Sequence, residues 1–308
     1  MTPKRLMIDV SLIKNSNCLR EVNYSHNHGF TSKHGTYKME YGSAGHEYMK
    51  IWYSNVLTAE NPYEYHQQGL SAAMAKYVDC EVPEDDFRQL DHLLMVLQMY
   101  NAYVSNLGDG DFKPAVNENG EALVELPFAL PYGKTPKKGI EVIICGTTDM
   151  IIEYNGRLGF VDHKITALWG EDQFLRSFIL SPQLFFYAKV IKKLMNLNYY
   201  PTAFINGIFL KKGTQKEPYR VCSIKRSEPI EISPMLAKEF NTFFDEKIAA
   251  IMKAVDDEYY PPNFNCCTKI YGQCSFTKAC QLEFDEDRVD VLKSTMKQRE
   301  YNPLNWSK

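Results

Sequence analysis

Residues 141–166 read EVIICGTTDMIIEYNGRLGFVDHKIT and predict a β-hairpin. Two largely apolar runs flank Asn155-Gly156, the dipeptide that most strongly favours a two-residue type I′ turn. A turn of this kind pairs Tyr154 with Arg157 and sets the register of both strands. The hairpin therefore fixes which side chains face each other along its whole length.

Two carboxylates meet on this predicted hairpin. Counting back from the turn places Asp149 opposite Asp162. Because side chains alternate between the faces of a strand, Lys164 shares the face of Asp162, and His163 points to the other face. Facing carboxylates destabilise a sheet unless a cation lies between them, and Mg²⁺ or Mn²⁺ prefers such oxygen ligands. The alternative interpretation is an ordinary salt bridge on a solvated sheet face.

Composition restricts the class of protein. The chain has 308 residues, of which 44% are hydrophobic and 13% aromatic, so it can form a large core. The net charge of -3 gives no bulk attraction to nucleic acid. The apolar runs are much shorter than a membrane span, and residues 1–10 lack the apolar region of a signal peptide. We therefore predict a cytoplasmic location.

The order of the predicted elements indicates an α/β fold with a mixed central sheet flanked by helices. Ser181-Pro182 and Ser233-Pro234 each begin a predicted helix, with the serine as a possible cap. We predict one domain with a mainly helical part over 1–110, a core over 111–230, and a C-terminal helix with a cysteine-rich tail over 231–308. The helices predicted in the first part cover 43–57, 61–78 and 83–107.

Three further side chains are candidates for the same site. Gln183 and Tyr187 lie four residues apart on the helix after the hairpin, so they share one face. His46 lies near the start of an earlier predicted helix and could supply an imidazole ligand. Taken alone, a tyrosine in such a helix is more often a core residue, and a single histidine is usually structural.

Together these motifs resemble the RecB-like members of the PD-(D/E)XK nuclease superfamily. Each motif is weak alone, but the four occur in the expected order over about 140 residues. They are GHEYM with His46, GTTD with Gly146 and Asp149, DHK with Asp162 and Lys164, and QLFFY with Gln183 and Tyr187.

The resemblance implies a restriction-endonuclease-like core and metal-assisted hydrolysis of phosphodiester bonds. Lys164 would act at the attacking water or on the phosphate charge, while Gln183 and Tyr187 would position the substrate or the lysine. The second acid is Asp162, where many relatives have glutamate. The implied ligands of Mg²⁺ or Mn²⁺ are His46, Asp149, Asp162 and the backbone carbonyl of His163.

Cysteines cluster near the C-terminal end of the chain. Residues 265–280, NCCTKIYGQCSFTKAC, hold four of the eight cysteines. In a cytoplasmic protein this cluster indicates metal ligation rather than disulfides, and both zinc and an iron-sulfur cluster fit four thiolates. The resemblance to CRISPR-associated RecB-like exonucleases and phage-encoded relatives implies a 4Fe-4S cluster that joins the two chain ends. Its ligands would be Cys18, Cys267, Cys274 and Cys280, with Cys266 as the alternative to Cys267.

The expected activity is that of a metal-dependent DNA exonuclease acting on single-stranded DNA or DNA ends. Its role would lie in recombination, repair or phage DNA processing, in a bacterial or phage-infected cell, with a homo-oligomer or a recombination protein as possible partners. Phe185, Phe186 and Trp169 are candidates for stacking on bases. The alternatives are a non-catalytic DNA-binding or scaffold subunit and a nuclease that works only within a helicase complex, since the sequence lacks a P-loop of its own.

Overall fold

The computed structural model describes residues 5–32, 37–57, 61–133, 141–168, 170–217, 220–269 and 272–298. The chain divides into two compact units. The first unit consists of Met1–Gly35, Pro127–Thr147 and Lys238–Lys308, and the second consists of Thr36–Leu126 and Thr148–Ala237. Strand β4, defined below, contributes residues to both units.

The strands are β1 (Arg5–Ile8), β2 (Phe30–Ser32), β3 (Val124–Pro131), β4 (Glu141–Tyr154), β5 (Arg157–Thr166), β6 (Thr202–Leu210), β7 (Cys222–Arg226), β8 (Thr268–Lys269), β9 (Gly272–Gln273) and β10 (Met296–Gln298). The α-helices are α1 (Val10–Asn15), α2 (Leu19–Val22), α3 (Tyr37–Asn55), α4 (Pro62–Tyr77), α5 (Leu90–Leu107), α6 (Glu171–Arg176), α7 (Pro182–Leu194), α8 (Pro234–Asp257), α9 (Thr277–Cys280) and α10 (Asp285–Thr295). Across the described ranges, no helix is both long enough and apolar enough to cross a membrane.

A mixed sheet with the strand order β1-β4-β5-β6-β7 forms the centre of the fold, and β3 also pairs with β4. In the first unit, β1 runs parallel to the beginning of β4. In the second unit, β4 and β5 are antiparallel, β5 and β6 are parallel, and β6 and β7 are antiparallel. This mixed sheet with flanking helices confirms the predicted α/β class.

The hairpin between β4 and β5 has the predicted turn. Asn155 and Gly156 both have positive φ angles, 51° and 71°, as a type I′ turn requires. Tyr154 pairs with Arg157, and the ladder continues to the pair Met150 and Val161. The predicted register is therefore confirmed over this ladder, and it carries the following residue, Asp149, to the edge of the site.

Several predicted boundaries differ from the structure. The strands β1 and β2 lie in the part that the sequence predicts as helical. Helix α5 begins at Leu90 rather than at Pro83, because the intervening residues form a turn in which the backbone N–H of Asp86 donates to the carbonyl of Pro83. Ser181 occupies the cap position of α7 without a side-chain cap bond, whereas the Ser233 hydroxyl accepts the Leu236 backbone N–H at 3.2 Å.

Buried tyrosines and histidines pair in the helical part of the second unit. Tyr41 and Tyr48 are fully buried, and their hydroxyls lie 2.8 Å from Nδ1 of His92 and His66, respectively. His92 Nε2 lies 3.0 Å from the carbonyl of Lys211 and donates to it. Because both ring nitrogens of His92 are then satisfied in the neutral form, the core is built for a neutral imidazole.

This pairing predicts that stability decreases in mild acid. Burial lowers the pKa of His92. In the unfolded chain, His92 binds a proton near pH 6.5, whereas in the folded protein it stays neutral to a lower pH. The folded state is therefore favoured above pH 6.5, and this contribution to stability is lost as the pH falls through the pKa of His92 in the folded protein. Urea unfolding should show a smaller loss between pH 7.5 and 5.5 for His92→Gln than for the unmodified protein. The matched control is the exposed His28→Gln, and an equal loss in all three proteins contradicts the prediction.

Candidate active site and metal centre

Three side chains from three elements of the second unit converge at one point. His46 lies on α3, Glu125 on β3 and Asp149 on β4. His46 Nδ1 lies 3.6 Å from Asp149 Oδ2 and 3.9 Å from Glu125 Oε1. One potential ligand atom from each residue lies within 4.8 Å of the other two. An imidazole and two carboxylates fit Mg²⁺ or Mn²⁺, so the donor set present matches the metal that the sequence implies.

Glu125 was not among the residues predicted from the sequence. Its φ angle of 49° lies in the left-handed region, which non-glycine residues rarely adopt. Backbone conformations of this kind are concentrated at binding and catalytic sites, where the surrounding structure holds them in place. No spacing in VELP marks Glu125, because the local backbone and not a sequence period directs its carboxylate towards His46.

Asp162 lies beside this group as a third carboxylate, which is fully buried and has two partners. It is 1% exposed, and Lys164 Nζ lies 2.5 Å from its Oδ2. Gln183 Nε2 donates to its Oδ1 at 2.9 Å. The side chains of Asp162 and Lys164 therefore share one face of β5, as predicted, and Gln183 reaches the site through Asp162.

The backbone of His163 joins the two acids. Its N–H donates to Asp149 Oδ2 at 2.6 Å. Asp149 is the residue next to Met150, at which the regular β4–β5 ladder ends. The His163 side chain is 2% exposed and stacks on Tyr53 of α3, whereas Asp162 contacts Gln183 of α7. The two side chains therefore lie on opposite faces of β5, as the alternation predicts. Asp149 is thus held by its neighbouring strand and not only by its own.

The charges of the site are strongly coupled. Burial raises the pKa of both Asp149 and Asp162, Asp149 adds to the effect on Asp162, and Lys164 opposes both shifts. Burial by itself would lower the pKa of His46, but the Asp149 and Glu125 carboxylates raise it. Among the described residues, Lys164 and His46 offset the negative charge that the three carboxylates bring together, and such an environment favours a divalent cation.

Tyr187 and its neighbours lie on the core side of α7. Tyr187 is 8% exposed, and its ring packs edge-on against Phe160 with the centroids 6.4 Å apart. Phe185 and Phe186 are each 3% exposed, so the predicted stacking of bases on these two rings is wrong. The third candidate, Trp169, lies outside the described residues.

The cysteine cluster lies within the first unit, which contains both ends of the chain. Strand β2 pairs there with β10, and Phe30 and Met296 of these strands belong to a core cluster against which Cys274 and Cys280 pack. Strands β8 and β9 form a small hairpin that begins after Cys267 and ends before Cys274, and the N–H of Cys274 donates to the carbonyl of Cys267 at 2.8 Å. This hairpin explains how a spacing longer than C-x-x-C still brings the two residues together.

The other two cysteines lie close to this pair. The Cys18 sulfur accepts the Asn263 N–H at 3.4 Å. Burial raises the pKa of Cys280, Arg20 opposes this shift, and the Cys18 and Cys267 sulfurs add to it. The Cys18 and Cys267 sulfurs therefore both lie close to Cys280, and the described cysteines form no disulfides.

The mixed sheet and the group of His46, Glu125 and Asp149, which could hold a metal ion, are the features expected of a metal-dependent nuclease. A family model of the PD-(D/E)XK nuclease superfamily matches residues 16–281. Because the match covers most of the chain, the protein belongs to the PD-(D/E)XK nuclease superfamily, whose members use divalent metals. Comparison with the curated proteins returns no match.

Glu125→Gln is expected to weaken metal binding without unfolding the protein. The change keeps the shape of the side chain and removes one of the two negative charges that lie within 3.9 Å of His46, while that of Asp149 remains. We expect the Mn²⁺ concentration at half-saturation, measured by electron paramagnetic resonance, to rise roughly 10- to 100-fold. The control is Glu121→Gln, an exposed acid close by in sequence, and unchanged Mn²⁺ binding by Glu125→Gln contradicts the assignment.

Proposed function

We propose that this protein is a Mg²⁺- or Mn²⁺-dependent deoxyribonuclease, an exonuclease that acts on single-stranded DNA or on DNA ends. The observation that carries the proposal is the convergence of His46, Glu125 and Asp149 beside the Asp162 and Lys164 ion pair. Superfamily membership supports hydrolysis by a metal-dependent nuclease. The preference for DNA ends is taken from the RecB-like motifs.

The metal supplies Lewis-acid activation of the scissile phosphate and of the attacking water when it is bound. His46, Glu125, Asp149 and Asp162 would hold it, together with the backbone carbonyl of His163. Gln183 orients one oxygen of Asp162 through its 2.9 Å hydrogen bond, so that the other oxygen faces Lys164.

Lys164 is a cation of the described site that is available to the reacting groups. Its side chain is 24% exposed, whereas that of its partner Asp162 is 2% exposed, so the ammonium lies at the boundary between the buried acids and solvent. A positive charge there stabilises the negative charge that develops on a phosphate in the transition state. The same group can orient or deprotonate the attacking water, so Lys164 contributes to the rate rather than to metal affinity alone.

Circular and linear substrates distinguish the proposed exonuclease from the alternatives. Purified protein with Mg²⁺ or Mn²⁺ should release nucleotides from linear DNA and should leave covalently closed circles intact. Cleavage of the circles would identify an endonuclease. Binding without cleavage of either form would favour a non-catalytic subunit, and cleavage that needs an added helicase would favour a helicase-dependent nuclease.

For the first unit we propose a 4Fe-4S cluster held by Cys18, Cys267, Cys274 and Cys280. The backbone hydrogen bond from Cys274 to Cys267 and the effect of the Cys18 and Cys267 sulfurs on Cys280 support a shared site for these cysteines. Four thiolates are the ligand set of such a cluster. The preference for an iron-sulfur cluster over zinc is taken from the RecB-like resemblance. The cluster's role would be structural, because hydrolysis needs no redox step.

Neighbouring cysteines provide a matched test of the cluster. After anaerobic purification, the unmodified protein and Cys266→Ala should be brown and contain about four irons per chain. Cys267→Ala should lose most of the iron. A colourless protein with one zinc, or equal iron in both variants, would contradict the proposed cluster and leave the nuclease site unaffected.

The biological role that we propose is DNA end processing in recombination, repair or phage DNA metabolism. DNA is the proposed partner, with a second copy of the chain or a recombination protein as a further one. Degradation of DNA ends is the activity that these processes share, so the linear-substrate assay is also the first test of this role.

A further inference from the structure

A row of buried polar side chains leads away from His163, the middle residue of the DHK stretch. The His163 ring stacks on Tyr53 with the centroids 5.5 Å apart and the planes inclined by 17°. His163 Nδ1 lies 2.9 Å from Nδ2 of Asn206, its direct neighbour on β6. Asn206 is fully buried. These residues all belong to the second unit, and none of them was predicted as part of the site except His163.

The row continues to a buried ion pair. Asn206 Nδ2 also donates to the Tyr100 hydroxyl at 2.8 Å, which lies 2.9 Å from the Tyr53 hydroxyl. The Tyr53 hydroxyl donates to Asp111 at 3.3 Å. Asp111 forms an ion pair with Arg226. The row therefore connects a neutral histidine at the site to a fixed pair of charges in the core.

The carboxylate of Asp111, at the far end of the row from His163, sets the direction of every hydrogen bond. Asp111 beside Arg226 only accepts, so Tyr53 donates to it, Tyr100 donates to Tyr53, and Asn206 donates to Tyr100. The second N–H of Asn206 then donates to His163 Nδ1, which leaves the imidazole proton on Nε2. In this orientation the buried Asn206 Oδ1 has no hydrogen-bond partner. The reverse orientation of the Asn206 amide would instead leave its NH₂ group without an acceptor, and buried unpaired N–H groups are rarer in proteins than buried unpaired carbonyl oxygens.

The backbone of His163 is the part of the molecule that this row would hold in place. Its N–H fixes Asp149 at 2.6 Å, its carbonyl is a proposed metal ligand, and its two neighbours are Asp162 and Lys164. The His163 ring is anchored by its stacking on Tyr53, by an edge-on contact with His46 at 6.3 Å and by the hydrogen bond from Asn206. These contacts restrict rotation and translation of its backbone.

We propose that Asn206, Tyr100 and Tyr53 are positioning residues that set the metal affinity of the site by anchoring His163. The proposal rests on the proposed function only in assigning the metal to this site. None of the three touches the reacting groups, so their removal should act through the geometry of Asp149 and of the His163 carbonyl.

Two variants and one matched control test the proposal. Tyr100→Phe removes one hydroxyl from the row, and Asn206→Asp keeps the side-chain shape but replaces both donor bonds with acceptors. The control is Tyr48→Phe, which removes the hydroxyl of an equally buried tyrosine whose own partner is His66 at 2.8 Å. Its ring packs edge-on against Tyr100, so this change perturbs the same core without removing a hydrogen bond of the row. Mn²⁺ binding is measured by electron paramagnetic resonance, hydrolysis of linear DNA is measured at several Mn²⁺ concentrations, and unfolding is followed by circular dichroism.

We expect roughly 10- to 100-fold weaker Mn²⁺ binding in Tyr100→Phe and Asn206→Asp, with a matching shift in the Mn²⁺ dependence of hydrolysis. Tyr48→Phe should bind Mn²⁺ as the unmodified protein does, even if it is equally destabilised. Equal Mn²⁺ affinity in Tyr100→Phe and the unmodified protein, or equal weakening in Tyr48→Phe, would overturn the proposal. If Asn206→Asp does not fold, Tyr100→Phe decides the result.

The two proposals fail in different ways. A protein that binds Mn²⁺ but does not hydrolyse DNA would reject the nuclease activity, while the comparison of Mn²⁺ affinities would still decide the positioning role. A protein that hydrolyses DNA with unchanged Mn²⁺ dependence in Tyr100→Phe would reject the positioning role and leave the nuclease activity in place.

Discussion

Asp162→Asn is expected to reduce the rate of DNA hydrolysis by more than about 100-fold. Loss of a residue that only supports a metal ligand costs roughly 10- to 100-fold, and Asp162 is proposed as a ligand itself. The asparagine keeps the shape of the side chain and can still contact Gln183, so the protein should fold. The measurement is the single-turnover rate on end-labelled linear DNA at saturating Mg²⁺.

The control for Asp162→Asn is Asp172→Asn, which changes an exposed aspartate on α6 that pairs with Lys225. Asp172→Asn should retain the rate of the unmodified protein. A normal rate in Asp162→Asn would show that the hydrolysis does not use this carboxylate, and the site would have to be placed elsewhere.

Lys164→Met is expected to lower the rate roughly 100- to 1,000-fold while Mn²⁺ binding is retained. Methionine preserves much of the length of the side chain but removes the charge that opposes the raised pKa of Asp162. Bound Mn²⁺ can replace that charge for the carboxylate, but it cannot replace the ammonium at the substrate. The rate should therefore stay low at saturating metal, where a defect in metal affinity alone would be rescued.

The comparison variant is Lys225→Met, which removes an exposed lysine that is also ion-paired with an aspartate. It should have the rate of the unmodified protein. Recovery of the full rate by Lys164→Met at high Mn²⁺ would contradict a role for Lys164 in the chemical step and reduce it to a residue that supports metal binding.

The part of the site that lies on the hairpin could be predicted from the sequence. Asn155-Gly156 requires two positive φ angles in succession, which few residue pairs tolerate, so the turn and the register followed by counting. The alternation of a strand then placed Asp162 and Lys164 on one face. The contact between Gln183 and Asp162 was less specific, because a helix period indicates a shared face but not which strand residue it meets.

Other parts of the site depend on contacts that no sequence period indicates. Glu125 reaches His46 through an unusual backbone angle. Tyr100 of α5 and Asn206 of β6 are 106 positions apart and meet only because the helix packs against the sheet. Strand β1 has four residues, too few for a strand period, and is defined by its pairing with β4. These features arise from tertiary structure and are visible only when the elements are assembled.

The measurement that tests the central claim most directly is hydrolysis of end-labelled linear DNA by chelator-treated protein as Mg²⁺ or Mn²⁺ is added back. We expect no hydrolysis without metal, saturable recovery with either ion, and no comparable recovery by Asp149→Asn measured in parallel. A folded protein that fails to hydrolyse DNA at any concentration of either ion would contradict the account, as would hydrolysis that persists in the chelator or is unchanged in Asp149→Asn.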